Sequence, residues 1–391
     1  MLFATTFILS AAATAVSAQW VNKTTNTLQL KHVIKVSSMK NIVEKGKSRV
    51  RSVNTKGSSR ERIAAAAVSG AITNEDVTYV ASIVIGGQTW DLIIDTGSSN
   101  TWCGAQEPCE PTSTGNDTGA SVAVKYGSGS FSGVEYIDAV SFNNLTVHSQ
   151  SIGAATNSNG FTGVDGIIGF GPVDLTENTV SNANQVPTFM HNLYKQGSIP
   201  SNVLGVYFRP ESGRNNDDTN GELTLGGVDT SKFVPPLTYF PTLTRGEAAQ
   251  YWGISVNTFT YGRGVIGRRA QAIVDTGTTL IYVPTGVYNN FLKAAGGKTD
   301  GSSGLATFTK KPTSNFGISF TPDGVYNLRP DQYLVPEAQY DNFGLARGKY
   351  YAWIADGGTG GVNTIIGQKF LENYYSVFDT TKSRIGFSKA L

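Results

Sequence analysis

Residues 91–102 read DLIIDTGSSNTW, and residues 271–282 read QAIVDTGTTLIY. They are one cassette written twice, with Asp95 and Asp275 lying 180 positions apart. In each copy an apolar run enters Asp-Thr-Gly and leaves through two hydroxyl residues. Each copy is followed downstream by an apolar pair and a glycine, in GVDGIIGFG (163–171) and in GVNTIIGQKF (361–370). A chain of 391 residues is too long for one ordinary core. The doubled cassette therefore predicts two similar lobes, each supplying one carboxylate.

The chemistry of such a pair follows from the residue types. A buried strand that turns at Asp-Thr-Gly presents a carboxylate at its end. Gly97 and Gly277 have no Cβ and let the opposite loop approach. Their amides, with the hydroxyls of Ser98 and Thr278, are placed to orient the carboxylates. Thr96 and Thr276 are placed to tie one loop to the other. Two carboxylates held close cannot both ionise easily, so they share a proton. That state suits a general base and a general acid acting on one bound water. The titration belongs to the pair, and neither residue takes a fixed microscopic role.

The body around the cassettes reads as mostly β. TYVASIVIG, TWDLIID, GELTLGG, QAIVD and TLIYV are short apolar or alternating runs bounded by Gly, Asn, Asp or Ser. VPTFMHNLYKQ and VYNNFLKAAGG carry the helical signals, and the second ends on glycines. Three histidines and two cysteines are too few for clustered zinc ligation. There is no G-x-S-x-G elbow for a serine nucleophile. Neither a metal nor an organic cofactor is implied.

Charge divides the chain. Residues 19–66 carry eleven Lys and Arg against Glu44 and Glu61, a net of +9, and the remainder carries −7. A basic arm could bind nucleic acid, or stay solvated and disordered. Ahead of an acidic body, it reads better as a detachable segment attracted to that body, weakened as acid protonates carboxylates. Residues 1–18, MLFATTFILSAAATAVSA, are apolar, too short to span a bilayer, and end in small residues. They are expected to be a signal peptide. The expected organisation is 1–18 signal peptide, 19–66 propeptide, 67–240 first lobe and 241–391 second lobe, with the mature chain starting between 64 and 73. The expected destination is outside the cell or a vacuole. The sequons at Asn116 and Asn144 are candidate glycosylation sites, and Asn22 opens a third in the arm.

With both cassettes and KYGSGSFSG (125–133) between them, the chain resembles the pepsin family of aspartic peptidases, over nearly all of its length after the leader. Among these it is most similar to secreted fungal enzymes, through SSNTW and the scarcity of cysteine. The resemblance implies a bilobal, mostly β fold with a central cleft, and cleavage of polypeptides between bulky hydrophobic residues in acid. It implies Asp95 and Asp275 as the catalytic pair and a monomer free of nucleic acid and, after processing, of membrane. It implies a flap with Tyr126, Gly127 and Ser128, partnered by Trp102. It places Ile93, Val164 and Ile167 in the non-primed pocket, and Tyr207, Thr278 and Thr279 near other subsites. It implies a propeptide lysine over the pair, from Lys31, Lys35, Lys40, Lys45 or Lys47. Gln368 stands where many relatives carry Asp, which is expected to alter local hydrogen bonding. Cys103 and Cys109 are expected to pair in a secreted chain. A non-catalytic relative would have lost an aspartate, the flap tyrosine or a D-T-G glycine, and none is lost. A two-carboxylate glycoside hydrolase has no need of symmetric turns.

Overall fold

A computed structural model describes residues 26–35, 38–55, 76–110, 114–127, 129–210, 219–322 and 324–391, and in it the two cassettes take the same local topology. The strand Gln88–Asp95 lies parallel to Gly166–Gly169, with Ile94 opposite Ile168 and Asp95 opposite Gly169. Gly264–Val274 lies parallel to Thr364–Ile366 in the same way. The outgoing strands, Thr101–Cys103 and Ile281–Val283, run antiparallel along the other edge of each I-I-G strand. Each I-I-G segment is thus a short, fully buried strand wedged between the strand entering the aspartate and the strand leaving it. That position explains its unbroken apolar character.

The fold is mostly β and bilobal. A sheet of thirteen described strands holds the first cassette, and a sheet of seven, drawn from residues 253–366, holds the second. Three of the five strand-like runs, TYVASIVIG, TWDLIID and GELTLGG, fall in the larger sheet, and QAIVD and TLIYV fall in the smaller. The last two strands, Tyr374–Asp379 and Arg384–Ala390, return to the larger sheet and pair with Val203–Tyr207 and Phe233–Pro241. The two helical runs form Phe189–Lys195 and Thr285–Ala295. Gly296 ends the second in the left-handed region, at φ 70°, where glycine pays no Cβ penalty.

The basic segment is folded where it is described. Asn26–Lys35 is a strand inside the larger sheet, between Gly221–Leu225 and Asp76–Ile85. Met39–Thr55 is a helix with Met39, Ile42, Val43, Val50 and Val53 buried. They pack among Leu175, Tyr251, Tyr282, Leu305 and Val362. A disordered arm is therefore overturned for these residues, because the apolar stripe of the helix finds a matching face. The leader, the Asn22 sequon, the 64–73 boundary and Ser128 lie outside the described residues.

Candidate active site

The two D-T-G turns meet back to back and lock each other. The Thr96 amide donates to Thr276 Oγ1 at 2.9 Å, and the Thr276 amide donates to Thr96 Oγ1 at 3.0 Å. Each hydroxyl then donates across the interface, Thr96 to the Val274 carbonyl and Thr276 to the Ile94 carbonyl. The carboxylates are held with the same symmetry. Asp95 accepts from the Gly97 amide at 2.9 Å and from Ser98 Oγ at 2.5 Å. Asp275 accepts from the Gly277 amide at 2.9 Å and from Thr278 Oγ1 at 2.7 Å. Both aspartates are buried, at 1% and 0% exposure. Buried charges require such donors.

The glycines are sterically required. A Cβ on Gly277 would lie 2.4 Å from Asp95 Oδ1, and one on Gly97 would lie 2.6 Å from Asp275 Oδ1. Gly277→Ala should therefore displace a carboxylate and lower kcat/KM by about 100-fold while the chain stays folded. Steady-state kinetics with circular dichroism on the same sample checks this.

A single guanidinium spans the pair. Arg49, on the helix of the basic segment, donates from Nη2 to Asp95 Oδ1 at 2.7 Å and from Nε to Asp275 Oδ2 at 2.6 Å. A further bond of 3.1 Å joins Nη2 to Asp275 Oδ1. The residue that bonds the pair is thus an arginine, where a lysine was expected. Lys47 is engaged with Glu44 on the helix surface, and Lys40 is exposed. An arginine fits because its planar fork reaches two carboxylates at once, which an ammonium does less well. One sign was visible in the sequence. Arg49 sits on the stripe of residues 39, 42, 46, 50 and 53, a charge on an otherwise apolar helix face. Gly46 and Gly127 let the helix approach. A Cβ on Gly127 would lie 2.0 Å from Arg49 Cα, and one on Gly46 2.0 Å from Tyr282 Oη. Tyr282 Oη donates to the Val43 carbonyl at 3.0 Å, and the Asn54 amide pairs with both backbone groups of Val362. Tyr282, Asn54 and Val362 were not singled out in the sequence, since nothing local marks them.

Electrostatics split the two carboxyls. Burial pushes Asp95 up, but the Arg49 guanidinium and the bonds from Ser98 and Gly97 outweigh it and hold it below its usual range. Burial pushes Asp275 up, and the neighbouring Asp95 charge adds to this against the pull of Arg49, leaving it raised. The pair is therefore arranged to carry one proton between two sites over a wide range of acid pH.

The remaining residues divide. Tyr126 is buried and its amide closes a turn on the Gly129 carbonyl at 2.8 Å. Burial and then the Asp95 charge push its hydroxyl well above its usual range. Its ring stacks toward Trp102 at 6.4 Å, and both join Ile93, Val164, Ile167, Phe131 and Phe161 in one apolar cluster. Thr279 is buried directly after Thr278, its carbonyl accepting from the Lys369 amide. Tyr207 lies outside that apolar cluster. Its hydroxyl donates to the Leu391 carbonyl at 2.7 Å and Lys232 Nζ lies 5.3 Å from its ring centroid. It packs beside a separate cluster of Val203, Val228, Phe233, Tyr375 and Val377. Gln368 is fully buried and donates to the Thr276 carbonyl at 2.7 Å, supporting the second turn from behind. Cys103 and Cys109 form a disulfide. Asn116 and Asn144 are both exposed. Among the described residues no cluster of His, Cys, Asp and Glu could hold a metal, and no helix is long and apolar enough to cross a membrane.

Comparison with known proteins agrees with this geometry. A family model described as eukaryotic aspartyl protease matches residues 78–390. Polyporopepsin of Irpex lacteus is 41% identical over 333 residues, covering 83% of this chain and 97% of its own. Cathepsin E of Aquarana catesbeiana is 32% identical, covering 80% of this chain and 79% of its own. The crystal structure of an aspartic proteinase from Irpex lacteus superposes with a TM-score of 0.76 at 38% identity, covering 80% of this chain and 94% of that one. The chain belongs to the eukaryotic aspartyl proteases, and within them it is a pepsin-like aspartic endopeptidase.

Proposed function

We propose that Asp95 and Asp275 are the catalytic pair of a secreted endopeptidase made as an inactive precursor. A water between them loses a proton to one carboxylate as it attacks the scissile carbonyl. The other carboxyl donates its proton to the carbonyl oxygen as the tetrahedral diol forms. On collapse the first carboxyl passes the water's proton to the leaving nitrogen, and the second recovers a proton from a diol hydroxyl. The tetrahedral oxygen stays in a dry, preorganised site. Tyr126 closes over the extended peptide. The apolar cluster of Ile93, Val164, Ile167, Phe131 and Phe161 favours bulky hydrophobic side chains at the cut bond. The observation that carries this is the reciprocal Thr96–Thr276 lock, which brings two buried carboxylates under one guanidinium.

The same guanidinium supports self-inhibition by residues 19–66, with the leader 1–18 directing secretion and the lobes 67–240 and 241–391 forming the mature monomer. Asn116 and Asn144 are its glycan acceptors. Arg49 stays charged throughout, so release depends on the carboxyls. Asp95 is depressed in the docked state, so its contribution to docking is complete above the ordinary carboxyl value and fades as pH falls through the depressed one. Asp275 is raised and takes its proton earlier, leaving one negative charge for Arg49 to hold. Purified precursor should therefore remain intact near neutrality and shorten to the mature form below about pH 4. Gel electrophoresis over a pH series tests this. Equal conversion rates at neutral and acid pH would defeat the inhibitory role.

A further inference from the structure

Glu135 lies in the strand Ser130–Phe142, which with Asn116–Lys125 forms the hairpin carrying Tyr126 and Gly127 between them. It faces Ala120 on one side and Gly153 of the strand Leu145–Asn159 on the other. Gly153 abuts Phe131 and Trp102, whose rings stack at 4.3 Å beneath Tyr126. Glu135 is 3% exposed. Ser151 Oγ donates to its Oε1, while Oε2 is buried and has no hydrogen-bond partner. A carboxylate in that place is short of donors that an ionised group needs.

No charge repairs this. Asp117 and Lys125 lie on the adjoining strand, the first beyond a bulge and the second at the far end. His148 is the ionisable residue of Leu145–Asn159, near its start. Thr101–Cys103 behind them contributes Trp102 and a disulfide-bonded cysteine. Within its own strand, Asp138 accepts from Ala139 and Thr114, and Tyr136 is the remaining titratable neighbour. None of these sets the behaviour of Glu135. Burial pushes its carboxyl up to about 7, opposed by the Ser151 hydrogen bond.

We propose that Glu135 is a pH-sensitive release for the hairpin, holding it in place while protonated and opening it when ionised. The hairpin is suited to local opening. Among the described strands Asn116–Lys125 is the last of the larger sheet, laddered to Ser130–Phe142 and bonded along its outer edge only through a short bridge from Ser121–Ala123 to residues 179–181, and edge elements open at lower free energy than a core. The folded carboxyl lies above its ordinary value of 4.5, so the contribution of Glu135 to stability is complete below about 4.5. It declines as pH rises and is lost above about 7. The flap would then fail in neutral solution however well the aspartates are placed.

This goes beyond the peptidase proposal, and its first test does not need activity. Backbone hydrogen exchange of the wild-type protein, corrected for intrinsic rate, should show the 116–142 hairpin losing protection between about pH 5 and about pH 8. The hairpin 253–274 of the other lobe serves as the internal reference and should change less. Equal loss in both, or none in either, overturns the proposal. In a second test, processed enzyme is held at about pH 8 and assayed in acid. Glu135→Gln should retain activity at least about tenfold longer than wild type, with the same initial rate in acid. An unchanged half-life overturns it. Should that variant not fold, the wild-type exchange measurement decides alone.

Discussion

Asp275→Asn should lower peptide-bond cleavage by at least about 10⁴-fold with the fold intact. The amide keeps the shape and the bonds from Gly277 and Thr278 in rearranged form, but it neither accepts nor donates the catalytic proton. Asp95→Asn should do the same, because the pair acts as one titrating unit and half of it has no comparable function. The cost of either change in stability should be small, since removing a charge from a fully buried position relieves desolvation. In the precursor the effect differs. Arg49 loses one of its two ion pairs, so the docked helix should be held less tightly. Kinetics on processed enzyme, with thermal unfolding of precursor and processed forms side by side, separates the two effects. A processed Asp275→Asn enzyme within tenfold of wild type would mean that the reacting groups lie elsewhere.

The second large effect falls on latency. Arg49→Gln leaves two buried carboxylates facing a neutral amide. Breaking one side of a buried ion pair costs about 3–5 kcal/mol, and here one cation serves two anions. The variant precursor should bind a peptide-like inhibitor near neutrality, where wild type does not, and should convert at higher pH. Arg49→Lys should fall between, since an ammonium supplies the charge without the fork. The apolar anchors Ile42, Val43, Val50 and Val53 are untouched by either change, so the helix should still fold onto the lobe with a weakened grip. If Arg49→Gln converts at the wild-type pH, then apolar packing alone closes the site and the guanidinium is incidental.

How far the residues alone disclosed this site can be traced case by case. Asp95 and Asp275 were readable because a D-T-G turn between a buried strand and an I-I-G strand is constrained at every position. A Cβ at either glycine strikes the opposite carboxylate, and losing either threonine breaks two cross-lobe bonds. Tyr126 and Trp102 came together because each is tied to a cassette or to the turn between them. Tyr207 did not, because a lone tyrosine at a strand end carries no local sign of which face it meets; it meets the C-terminus. Arg49 was hidden among eleven basic residues. Its role depends on helix phase and on where the helix docks, and docking is fixed by Gly46 against Tyr282 and Asn54 against Val362, contacts more than 200 positions long. Glu135 was hidden for a related reason, since a glutamate in an alternating strand reads as solvent-facing until the neighbouring strands bury it.

The most direct test of the paired-carboxylate site is stoichiometric inhibition of the processed enzyme. Cleavage of denatured haemoglobin would be followed at about pH 4, where one shared proton is expected, while a statine-type peptide is titrated in. Under the proposed mechanism its hydroxyl would take the place of the attacking water between Asp95 and Asp275. Complete loss of cleavage at one inhibitor per protein, with tight binding lost in Asp95→Asn, is the predicted result. Full cleavage in saturating inhibitor, or undiminished binding to Asp95→Asn, would contradict it.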